Sequence, residues 1–341
     1  MIRALLLVLV LAALFLSSTS AAAALPVYAH EYGFSCEQCH SIVPHLNAFG
    51  EDFLRAGFRL PPSIAARRTF PLAVKVNLAY TSQPDAGHLP KAMVDELELL
   101  AGAPITKHVS YRVEQYAMDG GVPGNTRDAW LQFTSVPEFG SRAAALRVTV
   151  GEFTLPLPVD PETQRDTLNH YALFDQSVGN NPFNLFDDRI GVDVAYGAQG
   201  QGASVHVLAL KGHDPQSGLP SDGLDRMIVA QNGTRIDMLT AYRYDGSRPL
   251  GARDRFWREA FGLTHRAGLG TFDFVLQTGG DSNAAPRASA VHSSGGFAQI
   301  RWAWSADVVG DLRFDRTSDS LSGGKDALTA ALIFRPRRNA R

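Results

Sequence analysis

From Leu72 onwards the chain alternates apolar and polar residues with a period of two. Leu72, Val74, Val76, Leu78 and Tyr80 interleave with Ala73, Lys75, Asn77, Ala79 and Thr81. Val109, Tyr111 and Val113 interleave with Ser110, Arg112 and Glu114, and Leu146, Val148 and Val150 with Arg147 and Thr149. Successive side chains of a strand point to opposite faces, so each stretch reads as a strand with one apolar and one polar face. Similar stretches begin near Asp95, Arg127, Ile190, Ser204, Asp225, Arg235, Arg255, Gly270, Gly296, Asp307 and Ala327. Together they predict about 14 strands, within a range of roughly 12 to 16, with no helical pattern between them.

Alternation alone fits a soluble sheet with one wet face as well as a membrane barrel. The connections add information. Every second link is short: Ala103 to Thr106, Val136 to Ala144, Gly197 to Gly202, Asn232-Gly233, Ala267 to Leu269 and Ser305-Ala306. The other set holds the long links, Leu155 to Asp188, Lys211 to Gly223 and Gly279 to Gly295. Short turns on one rim, long loops on the other and an even strand count are the arrangement of an outer-membrane β-barrel. The polar face carries Lys75, Asn77, Glu96, Glu98, Arg112, Glu114, Gln132, Arg147 and Asp193, which a wet lumen accepts and a dry sandwich core does not. Tyr80, Tyr116, Trp130, Tyr196, Tyr242, Tyr244, Trp257, Trp302 and Trp304, near strand ends, are candidates for interfacial girdles.

The first 69 residues read differently. Ala4 to Leu16 is an apolar run behind Arg3, followed by Ala22-Ala23-Ala24, which is the pattern of a cleaved export signal over residues 1–24. It is too short to span a bilayer as a helix. Beyond it, residues 25–69 form a short segment in which Leu46, Phe49, Phe53, Leu54 and Phe58 recur at helical spacing, with Pro44 placed to begin the helix and Pro61-Pro62 closing the segment. Residues 70–341 are the barrel. After Phe334 the chain runs on as Arg335-Pro336-Arg337-Arg338-Asn339-Ala340-Arg341, an extension or a turn short of further strands, the latter leaving an open edge.

Within the short segment stands Cys36-Glu37-Gln38-Cys39-His40. C-x-x-C-H is the attachment motif of a c-type haem, in which both thiols add to the vinyl groups and the adjacent histidine ligates the iron. A thioredoxin-like dithiol shares C-x-x-C but wants a βαβ context that is missing here. A zinc site needs more ligands than two cysteines, and these are the only two in the chain. One covalent haem c on Cys36 and Cys39, with His40 proximal, is the reading of these residues. So short a segment cannot bury a porphyrin alone, so another part of the chain must wall it.

Composition narrows the partners. The formal net charge is −2, with no basic stripe before the tail, so nucleic acid is not expected. No hydrolase or phosphate-binding motif is present.

With motif, helix and barrel in place, the chain resembles the fused monohaem cytochrome c-porins of the bacterial outer membrane, whose best-known members are iron oxidases. The likeness is carried by Cys36 to His40, Pro44-His45-Leu46-Asn47-Ala48-Phe49-Gly50, Phe53 and Ala56-Gly57-Phe58. It implies an exported protein in outer-membrane lipid, its haem segment on the periplasmic side. It also implies electrons passing from an extracellular donor, Fe(II) among the candidates, to a periplasmic cytochrome. Passive porins with a haem-bearing plug or redox sensor, and a soluble periplasmic haem β-protein, are the rival readings.

The sixth ligand is open. His45 and His30 are the near candidates, and Met93 and Met118 the distant ones. A methionine raises the potential relative to a second histidine. Arg55, Arg59, Arg67 and Arg68 are candidates for the haem propionates. Asp160, Glu162, Asp175, Asp187 and Asp188 are candidates for gathering a hard cation at the outer mouth.

Overall fold

A computed structural model describes residues 26–42, 45–61, 63–64, 71–81, 91–161, 163–165, 170–198, 202–213, 220–234, 236–250, 252–285, 289–305 and 308–334. The expected leader, Pro44, Arg67, Arg68, Glu162 and the tail from Arg335 lie outside them, as does the side chain of His30.

The amino-terminal segment holds helix α1 (Pro26–Tyr32), a 3₁₀ turn (Cys36–Gln38), two short paired strands, β1 (His40–Ile42) and β2 (His45–Leu46), and helix α2 (Ala48–Arg55). The sheet follows: β3 (Leu72–Thr81), β4 (Lys91–Pro104), β5 (Val109–Met118), β6 (Thr126–Thr134), β7 (Ala145–Phe153), β8 (Arg189–Gly197) and β9 (Gly202–His213). It continues with β10 (Pro220–Gly233), β11 (Asp237–Leu250), β12 (Ala252–Ala267), β13 (Gly270–Ala285), β14 (Ser289–Ala303), β15 (Val308–Asp319) and β16 (Gly323–Phe334). These fourteen strands pair with their sequence neighbours in one antiparallel sheet. The first and last strands, β3 and β16, are its edges, and no ladder joins them among the described residues.

The polarity of the two faces is inverted relative to a soluble protein. On β9, Val205 and Val207 are 47% and 53% exposed, whereas Ser204 and His206, which alternate with them, are each 4% exposed. Val74, Leu131, Ile228, Leu276, Ile300 and Leu312 also face outwards, while Glu98, Asp225, Arg258, Asp281, Arg313 and Asp315 are buried on the inner face. Bulk water would drive the apolar row inwards, but hydrocarbon accepts it. The inner charges are paired, as buried charges must be: Arg248 with Asp225 and Arg258 with Asp281, both at 2.8 Å, and Arg313 with Asp315 at 2.7 Å.

Two of the three expected long loops are strand over their described residues. β9 and β10 extend to His213 and from Pro220, and β13 and β14 extend to Ala285 and from Ser289. Their polar and glycine-rich ends still pair beyond a register shift in each ladder, Pro220 with His213 and Ala285 with Ser289, so composition there understated the sheet. Asn232-Gly233 is also within the ladder, paired with Leu239 and Met238, and the turn falls after it, where Thr234 N bonds Asp237 O. The girdle divides: Tyr196, Trp302 and Trp304 are exposed near the short turns, but Trp130, Tyr242 and Tyr244 point inwards and are buried.

The third, 154–188 between β7 and β8, contributes no strand to the sheet among the described residues. It enters the space enclosed by the sheet, where its Leu155, Leu157, Val159, Tyr171, Phe174 and Phe183 share a buried cluster with Leu208, Met227, Tyr244, Phe256 and Phe297 of the wall. Tyr171 Oη donates to Gln299 Oε1 at 2.9 Å, and Asn181 Nδ2 donates to Asp281 Oδ1 at 2.8 Å.

Candidate functional site

The residues after the cysteines form the platform of the motif. Asn47 caps α2, its Oδ1 accepting from Gly50 N at 3.0 Å. The same side chain donates through Nδ2 to the carbonyls of Glu37 and Gln38 at 3.1 and 3.2 Å. Asn47 N donates to Cys39 O at 2.9 Å, so the attachment turn is bolted to the start of the helix. Gly50 is required there: a Cβ would stand 2.2 Å from Cys39 O. The helix begins at Ala48, later than Pro44 suggests, because β2 and the Asn47 cap precede it.

Beyond α2 the chain reverses through Gly57 and Phe58, at φ 61° and 63°. Left-handed backbone is costly for a phenylalanine, and it is held here by packing. The Phe58 ring stacks on Tyr28, centroids 4.9 Å apart, and on Trp130 of β6 at 5.8 Å. Phe53 closes the cluster edge-on to Tyr28 at 4.9 Å.

The segment sits at the short-turn rim. Arg59 Nη2 donates to the carbonyls of Thr106 and Val109 at 2.7 Å each, and Phe49 meets Phe139 at 5.0 Å. Asp52 accepts from Arg142 at 2.6 and 3.2 Å and from Arg55 at 2.5 Å. Burial raises the Asp52 carboxyl, but the two guanidiniums outweigh it and hold the group below its ordinary 3.8. A depressed carboxylate stabilises the docked state above that ordinary value and ceases to as pH falls through the lowered one. Limited proteolysis of the segment in detergent should therefore show wild-type protection at neutral pH that fades only below 3.8. Asp52→Asn should be cleaved about tenfold faster at neutral pH, the roughly 1.5 kcal/mol of a hydrogen bond to a charged group, and should lose the acid step.

Cys36, Cys39 and His40 line a cavity of about 490 Å³. This lies in the size range of sites for cofactors and comparable ligands. Its apolar side comes from the segment, with Tyr28, Phe34, Leu46, Phe53 and Phe58; its polar side comes from β3 to β6, with Lys75, Glu98, Arg112, Glu114 and Arg127. The loop 154–188 supplies the remaining wall through Thr163, Arg165, His170 and Phe186. Leu46 N donates to Thr163 O at 2.8 Å, which joins the segment to the loop.

Both thiols are unbridged, Cys36 exposed and Cys39 half-buried. Burial, with Cys36 beside it, pushes the Cys39 thiol up to about 11. The donor set fits a haem c: two thiols two residues apart, the following imidazole, an aromatic wall for the ring, and the guanidiniums of Arg127 and Arg165 on the wall for carboxylates, while Lys75 and Arg112 there are paired with Glu98 and Glu114.

Other expected residues are placed elsewhere. His45 does not line the cavity; Arg301 Nη1 donates to its Nδ1 at 2.9 Å, and Arg301 also pairs with Asp273 at 2.7 Å. Met93 and Met118 are not on the wall, and Arg55 and Arg59 are engaged within the segment and its rim contacts. The acidic residues do not converge: Asp175 pairs with His170, Asp187 with Arg189, and Asp188 accepts from Thr154. Asp160 accepts from Thr163 N. Among the described residues no group of three or more His, Cys, Asp or Glu is arranged to hold a metal ion. Arg127, Arg165 and His170 are among the cavity residues that the sequence does not point to; nothing in local spacing ties them to the motif.

The architecture is that of the porin-like outer-membrane β-barrels, with an unclosed seam. OmpF of Salmonella typhi, solved with daunomycin, superposes with a TM-score of 0.52 at 11% identity, over 78% of this chain and 85% of that one. An anion-selective porin from Comamonas acidovorans gives 0.35 at 12% identity, over 78% and 94%. The outer-membrane channel DcaP of Acinetobacter baumannii gives 0.39 at 11%, over 76% and 96%. No family model matches the sequence, and no curated protein does.

Proposed function

We propose that this chain is an outer-membrane electron-transfer protein carrying one covalent haem c at the periplasmic rim of a porin-like barrel. The observation that supports it best is the shared cavity, in which the two thiols and the imidazole of the attachment motif face a wall built by the sheet and its long loop. Cys36 and Cys39 would hold the group and His40 would ligate its iron. When bound, the haem supplies a one-electron couple whose potential follows its ligands and surroundings. The chain's own residues do the rest. The aromatic wall of Tyr28, Phe34, Phe53 and Phe58 would exclude water from the group, Arg127 and Arg165 would take its carboxylates, and Asn47 fixes the attachment turn.

The short-turn rim is the periplasmic one in bacterial barrels, which supports placing the segment there. Electrons would pass between an extracellular donor, Fe(II) among the candidates, and a periplasmic cytochrome. Oxidised protein extracted in detergent should be reduced promptly by Fe(II), read as the sharpening α-band of ferrous haem c. A haem that stays oxidised with Fe(II) yet is reduced by dithionite would remove iron as donor and keep the carrier role.

The fold likeness to porins favours a second reading, a passive channel. It predicts steady conductance in planar bilayers and no donor oxidation. The buried cluster that loop 154–188 makes inside the sheet speaks against wide pores.

A further inference from the structure

We propose that His170 is the distal axial ligand of the haem iron, an inference that rests on the haem reading above. Among the described residues lining the cavity, His40 and His170 are the two imidazoles, one on the motif and the other on the loop 154–188. The loop reaches the segment itself, through the Leu46–Thr163 hydrogen bond.

The His170 ring is held as a metal-ligating imidazole is held. Its Nδ1 lies 3.2 Å from a carboxylate oxygen of Asp175, so Nε2 is the nitrogen left for a metal. A carboxylate behind a histidine fixes its tautomer and raises its basicity as a ligand. The ring stacks on Phe186 at a centroid distance of 4.2 Å. Its own carbonyl accepts from Arg313 Nη2 at 2.6 Å, which pins the backbone to β15. The nearer histidine, His45, is off the cavity and bonded to Arg301. Lys75, the wall amine, is tied to Glu98 at 2.5 Å and Glu96 at 3.2 Å.

Bis-histidine ligation makes the ferric iron low-spin and sets its potential below that of a histidine–methionine pair. The test uses the full-length holoprotein in detergent, read by electron paramagnetic resonance, the visible spectrum and a redox titration. Wild type should be low-spin without the methionine–iron charge-transfer band. His170→Gly should keep its covalent haem, become high-spin, and return to low-spin on adding imidazole. His170→Met, which refills the volume, should stay six-coordinate with a raised midpoint potential, and His45→Ala should leave spin state and potential unchanged. A His170→Gly protein that retains haem with an unchanged low-spin spectrum would overturn the assignment while leaving the haem reading intact. So would a high-spin or methionine-ligated wild type. Wild type lacking covalent haem would overturn both.

Discussion

Val207→Arg should abolish most of the assembled, heat-modifiable form of this protein in the outer membrane, while Val207→Leu should leave it unchanged. Val207 lies mid-strand on β9, opposite Val194 of β8 and Ile228 of β10, and all three side chains face outwards. Arginine on the lipid face of a barrel costs about 2–4 kcal/mol near the bilayer midplane, roughly thirtyfold to a thousandfold in the folding equilibrium. The measurement is the fraction migrating as the compact band in unheated gels, alongside the amount recovered in outer-membrane fractions. A soluble β-domain predicts the opposite sign, because there an arginine would relieve an exposed apolar row.

The second large effect concerns the cysteines. Cys36→Ser with Cys39→Ser should remove haem stain from denaturing gels completely, and either single substitution should reduce it strongly, because on the proposed reading each thiol would carry one of the two bonds. The compact band should persist in all three, since the fourteen-strand ladder does not involve either residue. Loss of the barrel in the double variant would mean that haem attachment is coupled to assembly of the sheet.

Much of the fold is legible in the chain because strand geometry writes itself at short range. Leu72, Val74 and Val76 against Ala73, Lys75 and Asn77 already state which face meets lipid, and Lys75 lies opposite Glu98 as the inner face requires. Strand ends are less legible. Gly279-Gly280-Asp281-Ser282-Asn283 reads as loop, but β13 runs on to Ala285, and Asn181 from the long loop bonds Asp281 there. The open seam between β3 and β16 is a property of the whole sheet, since closure depends on tilt and stagger summed over all strands.

The spacing of the motif is legible in the chain; the residues that share its cavity are not. Cys36, Cys39 and His40 announce themselves by spacing, whereas His170, Arg127 and Arg165 reach the same cavity from a loop and a strand far along the chain. Nearness in sequence pointed to His45, which the two-residue strand β2 turns towards Arg301. Asp175, expected among cation-gathering acids, instead sits behind His170.

The most direct measurement of the central claim is the mass of the tryptic peptide that contains Cys36 and Cys39, taken from protein extracted with acidified acetone. The account predicts a peptide heavier by one haem, with neither thiol alkylated by iodoacetamide. A peptide of unmodified mass whose two thiols both alkylate, before or after reduction, would contradict it and leave a porin-like barrel with an unfilled cavity at its rim.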